Sequence, residues 1–218
     1  MAHNAIHSAA HHAGQIRNAP QELSALVASR ICHDLVSPMG AIGNGVELMQ
    51  LGISTPSPEL SLIAESTGSA TARLRFYRIA FGIVSAGQLI SHPEVLSVLN
   101  ALQAHQKHRV IWNCQTNLTR QQIKLMFLLL MCMETAIPWG GDIEINSVQT
   151  GVQLVARSDR LRIDDKLWAA LHAGGFVEDL TSATIQFALA GTEIVTQGCA
   201  VVMAEHGNAY VLDVMLGS

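Results

Sequence analysis

Two long apolar stripes at helical spacing, joined by a short proline-containing turn, dominate the first ninety residues of this chain. From Gln21 to Gly52 the stripe is Leu23, Val27, Ile31, Leu35, Pro38, Ile42, Val46 and Met49. Every step is three or four residues, the repeat of one packed helix face. Pro20 enters this helix and Gly52 stands near its end, as start and stop signals do. At 1.5 Å per residue the rod would be about 45 Å long. The segment Ile53 to Pro58 holds two prolines and two serines, which is turn chemistry. A second helix is expected from about Glu59 to Gly87. Its stripe, Leu60, Ile63, Thr67, Ala70, Leu74, Tyr77, Phe81 and Val84, steps alternately by three and four, a heptad seam.

A short connection between two long helices makes an antiparallel hairpin. Each helix can bury only part of its apolar surface on the other. A second copy of the hairpin would complete a four-helix bundle, so homodimerisation is the expected outcome. The alternative is a hairpin that packs on the rest of its own chain.

His33 lies off the apolar stripe. At about 100° per residue it points roughly 160–200° away from Ile31 and Leu35. Ser29 and Ser37, each four residues away, share its side of the helix. Gly40 and Asn44 continue that face toward the C-terminus, flanked by Gly43 and Gly45. Glycines in a helix cost roughly 1 kcal/mol each relative to alanine. That cost has a use if another protein must approach the backbone. The same run would also fit a helix that simply frays or bends, since Pro38 removes one helical hydrogen bond just beyond His33. Asp34 follows the histidine directly. A carboxylate there can accept from one ring nitrogen, fix the tautomer and leave the other nitrogen as nucleophile.

Composition narrows the partners. The net charge is -4 over 218 residues, with no basic footprint for nucleic acid. No stretch reaches the 18 or so apolar residues of a membrane span, and the start lacks the pattern of a signal peptide. Cys32, Cys114, Cys132 and Cys199 are scattered without metal or disulfide spacing, so they read as reduced, mostly buried thiols of a cytoplasmic protein. Residues 1–20 carry His3, His7, His11 and His12 among small polar residues and are expected to form a flexible leader.

The run His33-Asp34-Leu35-Val36-Ser37-Pro38 resembles the H-box of sensor histidine kinases. The longer run from Ala28 to Gly45 (ASRICHDLVSPMGAIGNG), together with Ala72 to Gly82 (ARLRFYRIAFG), resembles the ChpT-type histidine phosphotransfer proteins of alphaproteobacteria. The resemblance is strongest over residues 22–90. It implies a phosphoryl shuttle that accepts from the receiver aspartate of a hybrid histidine kinase and donates to response regulators. Carried over, it makes His33 the phosphoacceptor and Asp34 the orienting residue or base. Arg30 and Ser37 become neighbours of the phosphoryl group, and Gly40 and Asn44 part of the docking face. It implies no cofactor of the chain's own, with Mg²⁺ on the partner receiver. It also implies a second domain like a kinase ATP-binding (GHKL-type) domain that has lost its nucleotide site.

The pattern from residue 91 onward fits such an α/β sandwich, giving an α+β chain: 1–20 leader, 21–90 helical hairpin, 91–218 degenerate ATPase-like domain. Pro93 to Lys107 is helix-like and Arg109 to Cys114 strand-like. Arg120 to Ile137 is a strongly apolar helix. Asp142 to Ser147 and Val152 to Arg157 form a strand pair turned at Gly151. Asp164 to Ala173 and Ser182 to Glu205 are expected as helices, the latter with an interruption near Gly191, and Ala209 to Leu216 as a closing strand. The apolar helix reads LLLMCMETA from Leu128 to Ala136, without the asparagine that holds magnesium in a working kinase. No Asp-x-Gly-x-Gly, G-x-G-x-x-G or Walker segment occurs, so ATP binding is not expected. Two other readings compete: an active sensor-type histidine kinase, which would bind nucleotide, and a non-enzymatic dimeric module that binds response regulators without taking their phosphate.

Overall fold

A computed structural model describes residues 3–51, 57–84, 87–103, 107–115 and 118–217, with side chains from Ser24 onward. The chain divides into two compact units, 1–85 and 86–218. The division falls between 85 and 86 rather than between 90 and 91.

The first unit is a helical hairpin. Helix α1 spans His3–Leu51. It starts well before the expected Gln21 and takes in the segment read as a flexible leader. Pro20 is therefore inside the helix instead of at its entrance, and its missing N–H costs one backbone bond there. The turn expected at Ile53 to Pro58 and the side chains of the leader histidines lie outside the described residues, apart from the turn's last serine and proline. Helix α2 spans Pro58–Ala80. Ser57 caps it by accepting from the backbone N–H of Leu60 at 3.2 Å, with Pro58 at the first helical position and Glu59 in the first turn. These choices satisfy one orphan donor and complement the helix dipole. The helix ends earlier than the heptad pattern suggests, because the chain turns at Gly82. A Cβ there would strike the carbonyl of Arg78.

The hairpin pairs different faces from those the stripes suggest. On α1 the buried side chains are Cys32 and Val46, with Val36, Met39 and Gly43 half-buried between them. Those positions alternate by four and three, a seam of their own. On α2 the seam predicted from sequence holds only in part: Leu60 and Thr67 are buried and Ile63 is exposed, while farther along the buried side chains are Ala72, Phe76, Ile79 and Ala80, and the predicted Ala70, Leu74, Tyr77 and Phe81 are half-buried. A Cβ at Gly43 would lie 3.7 Å from Thr67 Cγ2, so this glycine lets α2 come close. The more apolar α1 stripe is left uncovered in the single chain: Ile31 is 52%, Leu35 45% and Ile42 49% exposed.

The second unit is a five-stranded sheet with helices packed on it. Helix α3 (His92–Gln103) precedes β1 (His108–Asn113), α4 (Arg120–Ala136), β2 (Gly141–Val148) and β3 (Gly151–Arg157). Then come α5 (Asp165–Ala169), α6 (Ile185–Thr196), β4 (Ala200–His206) and β5 (Ala209–Met215). The strand order is β1-β2-β3-β5-β4, with β1 and β2 parallel and the other pairs antiparallel. Helix α4 opens on a reciprocal cap in which Gln122 N–H donates to Thr119 Oγ1 and Thr119 N–H donates to Gln122 Oε1. It runs through the core with Leu125 to Leu130 buried throughout, and pairs with α6 through Lys124 and Glu193 at 2.7 Å.

One element differs in kind from the sequence reading. The stretch expected as helix to Glu205 stops at Thr196, and Ala200–His206 is strand β4. Gly198, at φ +62°, ends α6. Its N–H donates to the Val195 carbonyl, and the next N–H, of Cys199, donates to that of Ile194, a Schellman closure. Gly191 does not interrupt the helix. It gives room instead, since a Cβ there would strike the backbone of Ala170 and Gly175. The helix read at Asp164 to Ala173 is also shorter than expected, as α5 closes at Ala169.

Candidate functional site

Three side chains on one turn of α1, Arg30, His33 and Asp34, make the candidate site. His33 projects from the hairpin with its side chain 82% exposed. Its neighbour Cys32 is buried, so the 100° between successive residues carries the imidazole off the face that meets α2. Nδ1 of His33 lies 3.1 Å from Oδ1 of Asp34. On the other side of the carboxylate, Arg30 Nε donates to Oδ2 at 2.7 Å. An ionised carboxylate only accepts, so the ring proton belongs on Nδ1 and the lone pair on Nε2. The hydrogen bond from His33, and then the bond and charge of Arg30, hold the Asp34 carboxyl below the usual carboxylate range. Asp34 therefore stays anionic at neutral pH and loses its charge only as the pH falls through that lowered value.

The other expected site residues divide. Ser37 is exposed one turn beyond the histidine, and Gly40 and Asn44 continue the same side. A Cβ at Gly40 would meet nothing within 4 Å, so that glycine leaves the backbone open to an approaching surface. Gly43 belongs to the contact with α2 instead. Ser29 also departs from the sequence reading. Its Oγ accepts from the backbone N–H of Ile83 at 3.2 Å, which ties α1 to the end of α2. Sequence spacing places Ser29 beside His33 but holds no sign of this bond across 54 positions.

This is an arrangement for nucleophilic chemistry at nitrogen: one exposed ring nitrogen, its tautomer fixed by a carboxylate, on a rigid helix. Among the described residues no group of three or more His, Cys, Asp or Glu side chains could hold a metal ion. Among them, too, no helix is long and apolar enough to cross a membrane.

A family model described as the histidine phosphotransferase C-terminal domain matches residues 92–209. Protein phosphotransferase ChpT of Brucella abortus (strain 2308) is 34% identical over 164 residues, covering 72% of this chain and 78% of its own length. This chain belongs to the histidine phosphotransferase family. The second unit is about three-fifths of the chain, so the match to the Brucella phosphotransferase extends into the hairpin. A solved structure described as a bacterial phosphotransferase superposes with a TM-score of 0.61 at 29% identity. It covers 88% of this chain and 95% of its own. Histidine phosphotransfer requires an accessible imidazole, and the ring of His33 is exposed and hydrogen-bonded to Asp34.

Proposed function

We propose that His33 is the residue this phosphotransferase phosphorylates, and that it passes the group between receiver aspartates in a phosphorelay. One observation carries the assignment: an exposed imidazole with Nδ1 on an anionic carboxylate, leaving Nε2 facing out. In the accepting step the Nε2 lone pair attacks phosphorus of a receiver's aspartyl phosphate. The P–N bond forms, the P–O bond to the donor carboxylate breaks, and that carboxylate keeps the electron pair. The ring becomes cationic with its proton still on Nδ1, where Asp34 balances the charge, much as a carboxylate does beside a catalytic histidine. Donation to a response regulator reverses these events on a second aspartate. Phosphoryl transfer asks mainly for in-line placement and charge neutralisation. The partner receiver supplies its aspartate and bound Mg²⁺.

The donor is the receiver of a hybrid kinase, the acceptors are response regulators, and all meet in the cytoplasm, where free cysteines stay reduced. The working unit is a homodimer, because the stripe of Ile31, Leu35 and Ile42 is too apolar to leave in water. Incubation with phosphorylated receiver domains tests the reading. Acid-labile label on this chain, without label from ATP alone, supports it. Label from ATP alone would make the chain a kinase, and no label from either source would leave a binding module.

Asp34→Asn should slow acceptance roughly a hundredfold or more, the usual scale for losing a group that manages a proton in catalysis. An amide can either donate or accept, so it no longer dictates which ring nitrogen carries the hydrogen. Stopped-time phosphotransfer measures the effect, and an unchanged rate would remove Asp34 from the mechanism.

Two glycines should respond in opposite ways. Gly40→Leu adds a side chain into open space and should raise the melting temperature, because leucine is the better helix former by several tenths of a kcal/mol. It should also slow transfer by blocking the receiver's approach, as should Asn44→Trp. Gly43→Leu pushes into Thr67 and should destabilise the hairpin by about 1–3 kcal/mol. Melting curves and transfer rates on the same samples read both quantities. Normal transfer in the bulky Gly40 and Asn44 variants would put the receiver elsewhere.

A further inference from the structure

When the donor receiver dissociates, it takes its metal and other cations with it. The phosphoryl group then stands on His33 in open solvent, with up to two negative charges and strong acceptor oxygens. Arg30 is poorly placed to balance that charge alone, since its Nε is held by Asp34 at 2.7 Å and its charge is matched by the same carboxylate. The hairpin brings a second cation from α2. Two contacts fix the register of the helices at this end. Ser29 Oγ accepts from Ile83 N–H at 3.2 Å. A Cβ built at Gly82 would come within 3.5 Å of the same oxygen while striking the carbonyl of Arg78 one turn below it. The helices are antiparallel, so one turn along α1 from Ser29 reaches His33, and one turn back along α2 from Gly82 reaches Arg78. His33 lies one helical turn beyond Ser29 on α1, and Arg78 lies in the last turn of α2, which puts the two residues at the same height along the groove. The pairing of Gly43 with Thr67 farther along keeps the same register. Independent of that geometry, the Arg78 charge is felt at the Cys32 thiol, next to His33, where it works against the upward push of burial. Arg78 itself is exposed.

We infer that Arg78 is a phosphoryl-binding residue that donates from α2 to the oxygens of phosphorylated His33, holding the intermediate between its two partners. The inference rests on His33 being the phosphoacceptor. It differs from the receiver's contribution in that Arg78 acts while no partner is present. The charged and titratable groups facing the phosphoryl group are then Asp34 and Arg30 on α1, Cys32 beneath them, and Arg78 across the groove.

The test uses the full chain, phosphorylated through a receiver and then separated from it, with the phosphorus resonance followed against pH. A neighbouring guanidinium favours the dianion, so Arg78→Gln should move the phosphoryl titration to higher pH than in wild type. The same variant should accept phosphate roughly ten- to a hundredfold more slowly, the scale of one charge-assisted bond. Arg78→Lys should recover most of both effects, which a purely structural arginine would not predict for the titration. Arg73→Gln, which removes the same charge from another exposed position on α2, should change neither. An unmoved titration in Arg78→Gln, with the label on His33, overturns the inference alone. Label that survives in His33→Ala brings down the phosphoacceptor reading and this inference with it.

Discussion

His33→Ala abolishes phosphoryl acceptance and leaves the hairpin folded. The two halves of that expectation have separate causes. Acceptance is lost because alanine offers no nucleophile, and the neighbouring Asp34 and Ser37 have oxygens that form no phosphoryl–nitrogen bond. The fold survives because the imidazole is 82% exposed and contributes little packing. Substitutions at such surface positions usually stay within about 0.5 kcal/mol, and alanine is a better helix former than histidine. The variant does release Asp34 from one partner, but Arg30 still pairs with it across one helical turn. The measurement is acid-labile label transferred from a phosphorylated receiver, beside the melting curve of the same preparation. Full labelling of the variant would move the site. His92 and His172, both exposed on the second unit, would then be the next positions to replace.

Ile31→Glu combined with Ile42→Glu should convert the proposed dimer to a monomer. The single chain leaves these side chains about half exposed, with Val27, Leu35 and Met49 along the same stripe. Covering such side chains against a second copy is worth roughly 1 kcal/mol or more each, and the symmetry of a dimer counts each one twice. Two glutamates per chain place four carboxylates in the interface, where each unpaired charge costs several kcal/mol. Charges at Leu74 or Phe81 would be a poorer test. Those residues are already half-buried within the hairpin, so replacing them damages the fold as well as the assembly. The substituted stripe points away from His33, so the monomer should keep its helical content. Sedimentation at micromolar concentration reads the outcome. A wild-type chain that runs as a monomer would end the four-helix model, and a doubly substituted chain that stays dimeric would place the interface elsewhere.

Much of the site was written locally. The 100° step of a helix sets His33 off the apolar stripe whatever the helix packs on, and adjacency alone lets Asp34 reach the ring. The same local rules located β1, β2, β3 and α4 to within a residue or two. Strand β4 escaped because Ala200 to Glu205 lies on the sheet edge, without the clean alternation of a half-buried strand. Its turn signals, Gly198 before it and Gly207-Asn208 after it, were the better evidence. Tertiary structure alone decided what required a partner. Periodicity shows that α1 has an apolar stripe, but not that α2 would take the neighbouring seam of Cys32, Val36, Met39, Gly43 and Val46 and leave the stronger stripe open. Nor could it show that Ser29 would accept a bond from Ile83, or that Arg78 would stand level with His33. A helix's own repeat fixes the direction of each side chain. Which side chains meet is fixed by the register between helices, and that register depends on small residues such as Gly43 and Gly82, whose meaning appears only when a second backbone lies against them.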